Sequence, residues 1–278
     1  MPKMTFLVFL LITSLALVGQ TSDMVHVYPG HIGLVLVAAT HEGFAVAADG
    51  AQFNADGTSS EVQKLFQVGK YGAIAFAGNV SIQDPVDRPV REEVNISRIV
   101  KTWLDAHPDA GLEMANSEIN NTISQTLAKF FSTRNPGAQA GKYAFTIICA
   151  GYAEGKPFLA GAKYSMPLAR GKSAPTAKLP GTIRPGATWV HGSGKVLEEL
   201  SHGKSPSLKS FKAEPPVKKF HSSAAQDLSP QDFVDLFDTV LRAAESEEGK
   251  KLDRSSPIVG PPNRLATISQ KDGFMWKK

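Results

Sequence analysis

The sequence has very little cysteine. Cys149 is the single cysteine among 278 residues, which excludes an intrachain disulfide framework and a cysteine-based zinc site. Cys149 stands in the apolar run 145–150, and we therefore expect a buried, unreactive thiol there.

The chain also lacks a strong excess of one charge. Its formal net charge is +4, and its lysines and arginines are spread along the sequence. A basic protein that binds nucleic acid concentrates positive charge on one face or in one segment. We therefore expect no nucleic-acid partner.

Long apolar runs are confined to the N-terminus. Lys3 is followed by an apolar stretch over 6–11 and 15–18, and small or polar residues follow at 19–22. This order is typical of a secretory signal peptide, which we place at residues 1–20. An uncleaved membrane anchor is the alternative, but the stretch is interrupted at 13–14 and is short for a span of about 20 residues. We expect a secreted or periplasmic protein with no membrane contact after cleavage.

Hydrophobic periodicity predicts blocks of strands and helices without regular alternation. Residues 21–30 form a short N-terminal segment, and residues 31–278 form one domain. Residues 203–226 are poor in apolar side chains and rich in Lys, Ser and Pro, which predicts a long loop insertion. Ser229 and Pro230 predict the start of a helix.

Strands are predicted at 32–39, 44–48, 62–68, 72–77, 143–150, 157–163, 188–191, 264–269 and 273–276. Helices are predicted at 96–106, 116–132, 195–201 and from 229 onward. Segregated blocks of this kind predict an α+β fold with antiparallel sheets and helices packed outside them.

Four segments together resemble the proteasome subunit family. Each short string of residues is common by itself. Taken together in their order and spacing, the four segments match the family from about residue 31 to the end of the chain. The segments are Glu42–Asp49, Gln63–Phe66 with Gly72–Gly78, Ile147–Tyr152 with Pro157–Leu159 and Val190–Gly194, and Arg264–Gly273. The resemblance implies the N-terminal-nucleophile (Ntn) hydrolase fold, a four-layer αββα sandwich of two antiparallel sheets.

The same resemblance implies a set of site residues. Peptide-cleaving members of the family attack with the hydroxyl of an N-terminal threonine, and the free α-amino group of that threonine takes up the proton. A lysine lowers the pKa of the amine, an aspartate holds the lysine, and a serine orients the amine. Asp49, Lys64 and Ser193 match the aspartate, the lysine and the serine. Without a nucleophile beside them, we favour a structural ion pair for Asp49 and Lys64 over a working catalytic pair, and a tight-turn role between glycines for Ser193.

The nucleophile of the family is missing from its expected position. Counting back from Asp49 along the hairpin places it at Gly33, and none of residues 31–35 is Thr, Ser or Cys. The late Asp-x-x-Ser-Gly-Gly motif of the family survives only as fragments at 253–256 and 259–260. Cleavage after residue 20 would instead expose Thr21 as an N-terminal threonine, 12 residues upstream of the expected position.

The sequence therefore leaves three hypotheses about function. The first is an exported pseudoenzyme that binds a partner or assembles into a ring or pair. The second is an active threonine-type amide or peptide hydrolase that uses Thr21. The third is an unrelated secreted α/β binding protein. Under the first hypothesis, the partners are copies of the chain or a peptide or protein ligand. We expect no cofactor and no metal, since His31, His41 and His191 are too scattered to predict a metal site.

Overall fold

The structure is a computed structural model, and for residues 25–29, 53, 59 and 83 it describes the backbone only. The expected signal peptide, Thr21, His31, Ser193 and the segment 253–256 lie outside the described residues. The described residues are 25–29, 33–53, 59–78, 80–83, 93–134, 136, 140–174, 176–179, 183–192, 194–203, 206–252 and 259–277.

One sheet has six strands drawn from the beginning, the middle and the end of the chain. In spatial order they are β1 (Val25–Pro29), β13 (Thr188–Gly192), β2 (Leu34–Ala39), β3 (Gly43–Ala48), β14 (Arg264–Ser269) and β15 (Gly273–Trp276). The predicted hairpins β2–β3 and β14–β15 are confirmed, and the pairs β13–β2 and β3–β14 are also antiparallel. The edge pair β1–β13 is parallel. The prediction of antiparallel sheets is therefore wrong at this edge, because the pairing joins segments far apart in the chain and no local pattern sets its direction.

A second, fully antiparallel sheet has five strands. Their order is β12 (Thr176–Leu179), β11 (Lys156–Ser165), β10 (Tyr143–Ala153), β7 (Gly72–Gly78) and β6 (Leu65–Val68). Two small hairpins complete the described strands, β4 (Ala51–Phe53) with β5 (Ser59–Glu61) and β8 (Ser81–Gln83) with β9 (Glu93–Asn95).

Side chains cap two of the described helices, and one of these caps is at the predicted residue, whereas the second helix begins four residues before its predicted start at 116. The side chain of Asn95 accepts a hydrogen bond from the backbone N–H of Arg98 and starts the first helix. Ser229 forms the predicted capping box with Asp232 and begins the sixth helix. The helices are α1 (Ile96–Ala106), α2 (Leu112–Ser132), α3 (Lys195–His202), α4 (Lys209–Lys212), α5 (Pro215–Ser222), α6 (Pro230–Glu245) and α7 (Glu247–Leu252). No described helix combines the length and the apolar character needed to cross a bilayer.

Three apolar clusters explain how these elements pack. The strand β2 contributes alternate residues to two of them, since its even-numbered side chains pack with α3, α5 and α6 and its odd-numbered side chains pack against the other sheet. The third cluster lies between the second sheet and the helices α1 and α2. Cys149 belongs to this third cluster and is fully buried, as expected.

The expected loop at 203–226 contains helical structure instead. α4, α5 and a single 3-10 turn at Ala225–Asp227 lie within it, so the loop prediction is wrong. Leu208 and Val217 are fully buried in the cluster around α6. Few apolar residues are needed because a short helix is stabilised mainly by packing against its neighbours, which a count of Lys, Ser and Pro does not reveal.

Candidate functional site

Gly33, Asp49 and Lys64 meet at one point of the fold. Gly33 directly precedes β2, Asp49 directly follows β3, and Lys64 directly precedes β6. β2 and β3 belong to the six-stranded sheet, whereas β6 belongs to the five-stranded sheet. The three residues are therefore brought together by the way in which the two sheets face each other.

The carboxylate of Asp49 is fully engaged by its surroundings. Its Oδ1 accepts hydrogen bonds from the backbone N–H of Leu34 at 2.6 Å and from Nζ of Lys64 at 3.1 Å. Its Oδ2 accepts from Nζ of Lys64 at 2.9 Å and from the backbone N–H of Ala51 at 3.2 Å. The negative charge is thus compensated both by an ammonium group and by two peptide dipoles.

The ion pair between Asp49 and Lys64 is inaccessible to solvent. Both side chains have a relative exposure of 0%. Removing one partner from a buried, hydrogen-bonded pair costs about 3–5 kcal/mol, because the other charge is left uncompensated. Since Asp49 and Lys64 come from different sheets, the pair also fixes how the two sheets meet at this end.

A side chain at Gly33 would have to displace the charged ends of Lys64 and Asp49. The φ of Gly33 is +76°, which L side chains rarely adopt. A Cβ atom built on Gly33 would lie 2.6 Å from Nζ of Lys64 and 2.8 Å from Oδ1 of Asp49. The position at which the resemblance places a nucleophile is therefore filled by the ion pair itself.

The backbone on either side of Gly33 is equally crowded. The strand β1 pairs with β13 as far as Pro29 beside Gly192, and β13 pairs with β2 from Gly192 beside Leu34. Gly192 has a φ of +100°, and a Cβ atom on it would lie 1.9 Å from the carbonyl oxygen of Gly33. With β1 upstream of it in the same chain, the nitrogen of Gly33 is a peptide nitrogen and has no amine to serve as a base.

The remaining predicted site residues are less informative. Ser193 and Thr21 lie outside the described residues, so their positions add nothing to this site. Gly192 and Gly194 flank Ser193 and are joined by a hydrogen bond from the N–H of Gly194 to the carbonyl of Gly192 at 3.0 Å. Sequence reasoning missed Gly192 as a contact of Gly33, although a glycine at the end of a buried strand is a signal of close backbone approach.

The three histidines considered as metal ligands do not assemble in the described part of the chain. His41 is exposed, His191 is 2% exposed, and His31 lies outside the described residues. Burial, and then the positive charge of Lys163, lower the pKa of His191 to about 3. Among the described residues, no group of three or more His, Cys, Asp or Glu side chains is arranged to hold a metal ion.

Two open cavities lie away from this pair. One, of about 750 Å³, is lined by residues 68–72, 109–114, 117–118 and 152–154. A second, of about 620 Å³, lies beside β15 and the start of α6. Neither is lined by Gly33, Asp49 or Lys64.

The similarity of this chain to known proteins is found among solved structures. No protein family model and no curated protein matches the chain. Among solved structures, the chain is similar to the Anbu (Gly-1) mutant from Hyphomicrobium sp. strain MC1, with 14% sequence identity and a TM-score of 0.48. The alignment covers 88% of this chain and 85% of the Anbu chain.

Proposed function

We propose that this chain is an exported, proteasome-subunit-like protein that has lost hydrolytic activity and serves in binding or assembly. The observation that carries the proposal is the filled position at Gly33. The Nζ of Lys64 and the Oδ1 of Asp49 lie 2.6 Å and 2.8 Å from the place where the Cβ atom of a nucleophilic side chain would be, so such a side chain would have to displace them. The two groups neutralise each other's charge through direct hydrogen bonds, and their role is to hold the two sheets together at this end.

The finer description of the fold belongs to the same proposal. We assign the chain to the Ntn-hydrolase architecture, with four layers in the order helix, sheet, sheet, helix. Support comes from the three apolar clusters. One holds residues of both sheets, and the other two hold residues of one sheet together with helices. In this arrangement the inner faces of the two sheets bury their apolar side chains against each other. The outer face of each sheet buries its apolar side chains against helices.

Peptide hydrolysis by the family's route needs two groups that Gly33 cannot supply. The nucleophile needs a hydroxyl or thiol, and glycine has no side chain. The proton acceptor needs a free α-amine, and the nitrogen of Gly33 is part of the chain that continues from β1. Asp49 and Lys64 by themselves provide neither group.

To replace the missing nucleophile, Thr21 would have to reach back along β1. The strand β1 runs parallel to β13, so Pro29 is at the end near Gly192 and Val25 is at the opposite end. Four strand steps separate these two residues, which corresponds to about 13 Å. Four residues lead from Val25 back to Thr21, and they span at most about 14 Å when fully extended. Thr21 would need that whole length to return, and it would then meet a Lys64 side chain that is 0% exposed.

The proposal is tested by sequencing the N-terminus of the exported protein and treating it with a threonine-directed covalent probe and a panel of fluorogenic peptides. We expect no labelling and no hydrolysis. The matched control is Thr21→Ala, which should behave like the natural protein in both assays. Labelling at Thr21 that disappears in Thr21→Ala would establish the alternative, an active threonine-type hydrolase. Hydrolysis that is lost in Lys64→Ala would likewise overturn the inactive assignment.

Export is tested separately by recovering the protein outside the cytoplasm and measuring its mass. A mass that corresponds to a chain beginning near residue 21 would support the signal peptide. A chain that retains residues 1–20 and stays in the membrane fraction would instead support the uncleaved anchor. The hydrolysis assays are independent of this result, so the two parts of the proposal can fail separately.

A further inference from the structure

The two open cavities lie among the turns of four hairpins. These turns join β2 to β3, β6 to β7, β10 to β11 and β14 to β15. They contribute residues 41–42, 69–71, 154 and 270–272 to the cavity walls. Gly33, Asp49 and Lys64 stand at the other ends of the same strands, before β2, after β3 and before β6. The cavities and the buried ion pair are therefore at opposite ends of these strands.

Backbone hydrogen bonds between the turns fix the walls of the cavities. The N–H of Phe274 donates to the carbonyl of Lys70 at 2.7 Å, and the N–H of Tyr152 donates to the carbonyl of Tyr71 at 2.9 Å. Tyr152 lines both cavities. The two cavities therefore meet at Tyr152 and form one groove, which we name the turn groove.

The turn groove exposes apolar side chains. Met114 lines the first cavity and Met275 lines the second, and each has a relative exposure of 43%. Methionine side chains are flexible and polarizable, and they are common on surfaces that accept segments of different sequence. The volumes of the cavities, about 750 Å³ and 620 Å³, lie within the range of about 300–1,000 Å³ that is usual for ligand sites.

The first cavity is surrounded by negative charge. Asp109, Glu113, Glu118 and Glu154 line it, together with one basic residue of the described chain, Lys70. The ion pairs between described residues include none of Asp109, Glu113 and Glu154. A cationic ligand in this cavity would thus meet carboxylates that no described side chain neutralises.

Helix stability accounts for only part of this charge. Glu113 stands in the first turn of α2 and Asp109 just before the helix, where acidic side chains stabilise the helix dipole. Glu154 belongs instead to the turn between β10 and β11, at a φ of +50° where Asn or Gly is the usual residue. Neither the helix nor the backbone of the turn therefore explains the carboxylate of Glu154.

We propose that the turn groove binds an extended peptide segment of a partner protein, with a lysine or arginine side chain in the first cavity and an apolar side chain against Tyr152 and Met275. The segment is complementary to the groove in charge and in apolar character. The whole chain has a formal net charge of +4, so the negative charge of the first cavity is a local feature. This segment gives the proposed binding role a class of partner, and it rests on that role only for its interpretation.

Selection from a library of random heptapeptides displayed on phage tests the proposal. The baits are the natural protein and the double variant Glu113→Gln/Glu154→Asn. Asparagine adopts a positive φ readily, so the substitution at Glu154 removes the charge and suits the turn. We expect the natural protein to select peptides rich in Lys and Arg, and the double variant to lose this preference.

Fluorescence anisotropy with the selected peptides then measures the contribution of each part of the groove. We expect the double variant to weaken binding about tenfold and Met275→Gln to weaken it about threefold. Glu198→Gln is the matched control for charge, since it removes an exposed carboxylate from the first turn of α3. Leu168→Gln is the control for apolar contact, since Leu168 is 70% exposed and lines neither cavity. Neither control should change the affinity.

Selected peptides without enrichment in Lys and Arg, or a failure to select any peptide, would overturn the proposal. So would peptides that bind the double variant as tightly as the natural protein. If the double variant does not fold, Glu154→Asn alone decides, by the same comparison. Peptides that the natural protein cleaves during incubation would contradict the inactive assignment and not the binding, so the two proposals can fail independently.

Discussion

A Cβ atom on Gly33 would lie 2.6 Å from Nζ of Lys64, closer than real side-chain carbons approach a neighbouring atom. The ammonium, held at 2.9 Å by Oδ2 of Asp49, therefore occupies the volume that a nucleophile's side chain would need. The site therefore differs from a catalytic one in two ways. It lacks the hydroxyl, and its charged side chains pack against the position from which a hydroxyl would extend.

We expect Gly33→Ala to destabilise the protein by about 2–4 kcal/mol, because a left-handed backbone costs an L-residue about 1–2 kcal/mol and overlap with the ion pair adds to it. The measurement is the free energy of unfolding in urea. Gly171→Ala is the matched control, since Gly171 has a φ of +72° and an added Cβ would meet nothing within 4 Å. Equal losses in the two variants would show that the ion pair does not fill the position.

Restoring the family's side chain should not restore its chemistry. Gly33→Thr meets the same overlap and the same backbone strain as Gly33→Ala, and its nitrogen is still a peptide nitrogen. We expect no hydrolysis of the fluorogenic peptides and a loss of stability at least as large as that of Gly33→Ala. Measurable turnover by Gly33→Thr would mean that the site retains a working arrangement, contrary to the structural role assigned to Asp49 and Lys64.

The two charged side chains should be strongly coupled in their effect on stability. Lys64→Met and Asp49→Leu are each expected to cost about 3–5 kcal/mol, since each leaves a buried charge without its partner. The double variant should cost clearly less than the sum of the two, because it leaves neither charge behind. The measurement is a double-mutant cycle by urea unfolding. Additive losses would contradict a buried pair.

Much of this arrangement could be predicted from the sequence, and the exceptions have a common physical cause. The helix at 96–106 was predicted from the spacing of Ile96, Val100 and Trp103, and all three side chains are buried in α1. Local periodicity was sufficient there, since one helix face determines the pattern. The hairpins were likewise predicted from strands that are adjacent in the chain.

Features that depend on distant parts of the chain were not predicted. The parallel pairing of β1 with β13 joins residues more than 150 positions apart, and no local sequence pattern predicts this pairing. α4 and α5 are short helices whose stability comes from packing against α6, so their composition alone indicated a loop. For the site, the resemblance identified Gly33, Asp49 and Lys64, but the positive φ of Gly33 and its contact with Gly192 are properties of the folded backbone.

The capping box of α6 gives a prediction that sequence and structure share. The hydroxyl of Ser229 accepts a hydrogen bond from the N–H of Asp232 at 3.2 Å, and the carboxylate of Asp232 accepts one from the N–H of Ser229 at 3.0 Å. We expect Ser229→Ala to lower the free energy of unfolding by about 1 kcal/mol, whereas Ser229→Asn should retain most of the cap. If Ser229→Ala were as stable as the natural protein in urea, the cap would not stabilise the helix.

The buried imidazole of His191 makes stability depend on pH. Its pKa in the folded protein is lowered to about 3 by burial and by the charge of Lys163, while an unfolded histidine titrates near pH 6.5. Between these values the unfolded chain binds a proton that the folded chain does not, so the stability is fully present above about pH 6.5 and is lost as the pH falls. From pH 7.5 to 5.0 the loss of unfolding free energy due to His191 alone should be about 2 kcal/mol.

The measurement is urea unfolding of the natural protein and of His191→Gln at both pH values. The variant should lose less stability between the two pH values, by about 2 kcal/mol, because the carboxylates that also titrate are the same in both proteins. An unchanged pH dependence would mean that His191 binds its proton equally well in the folded and the unfolded protein.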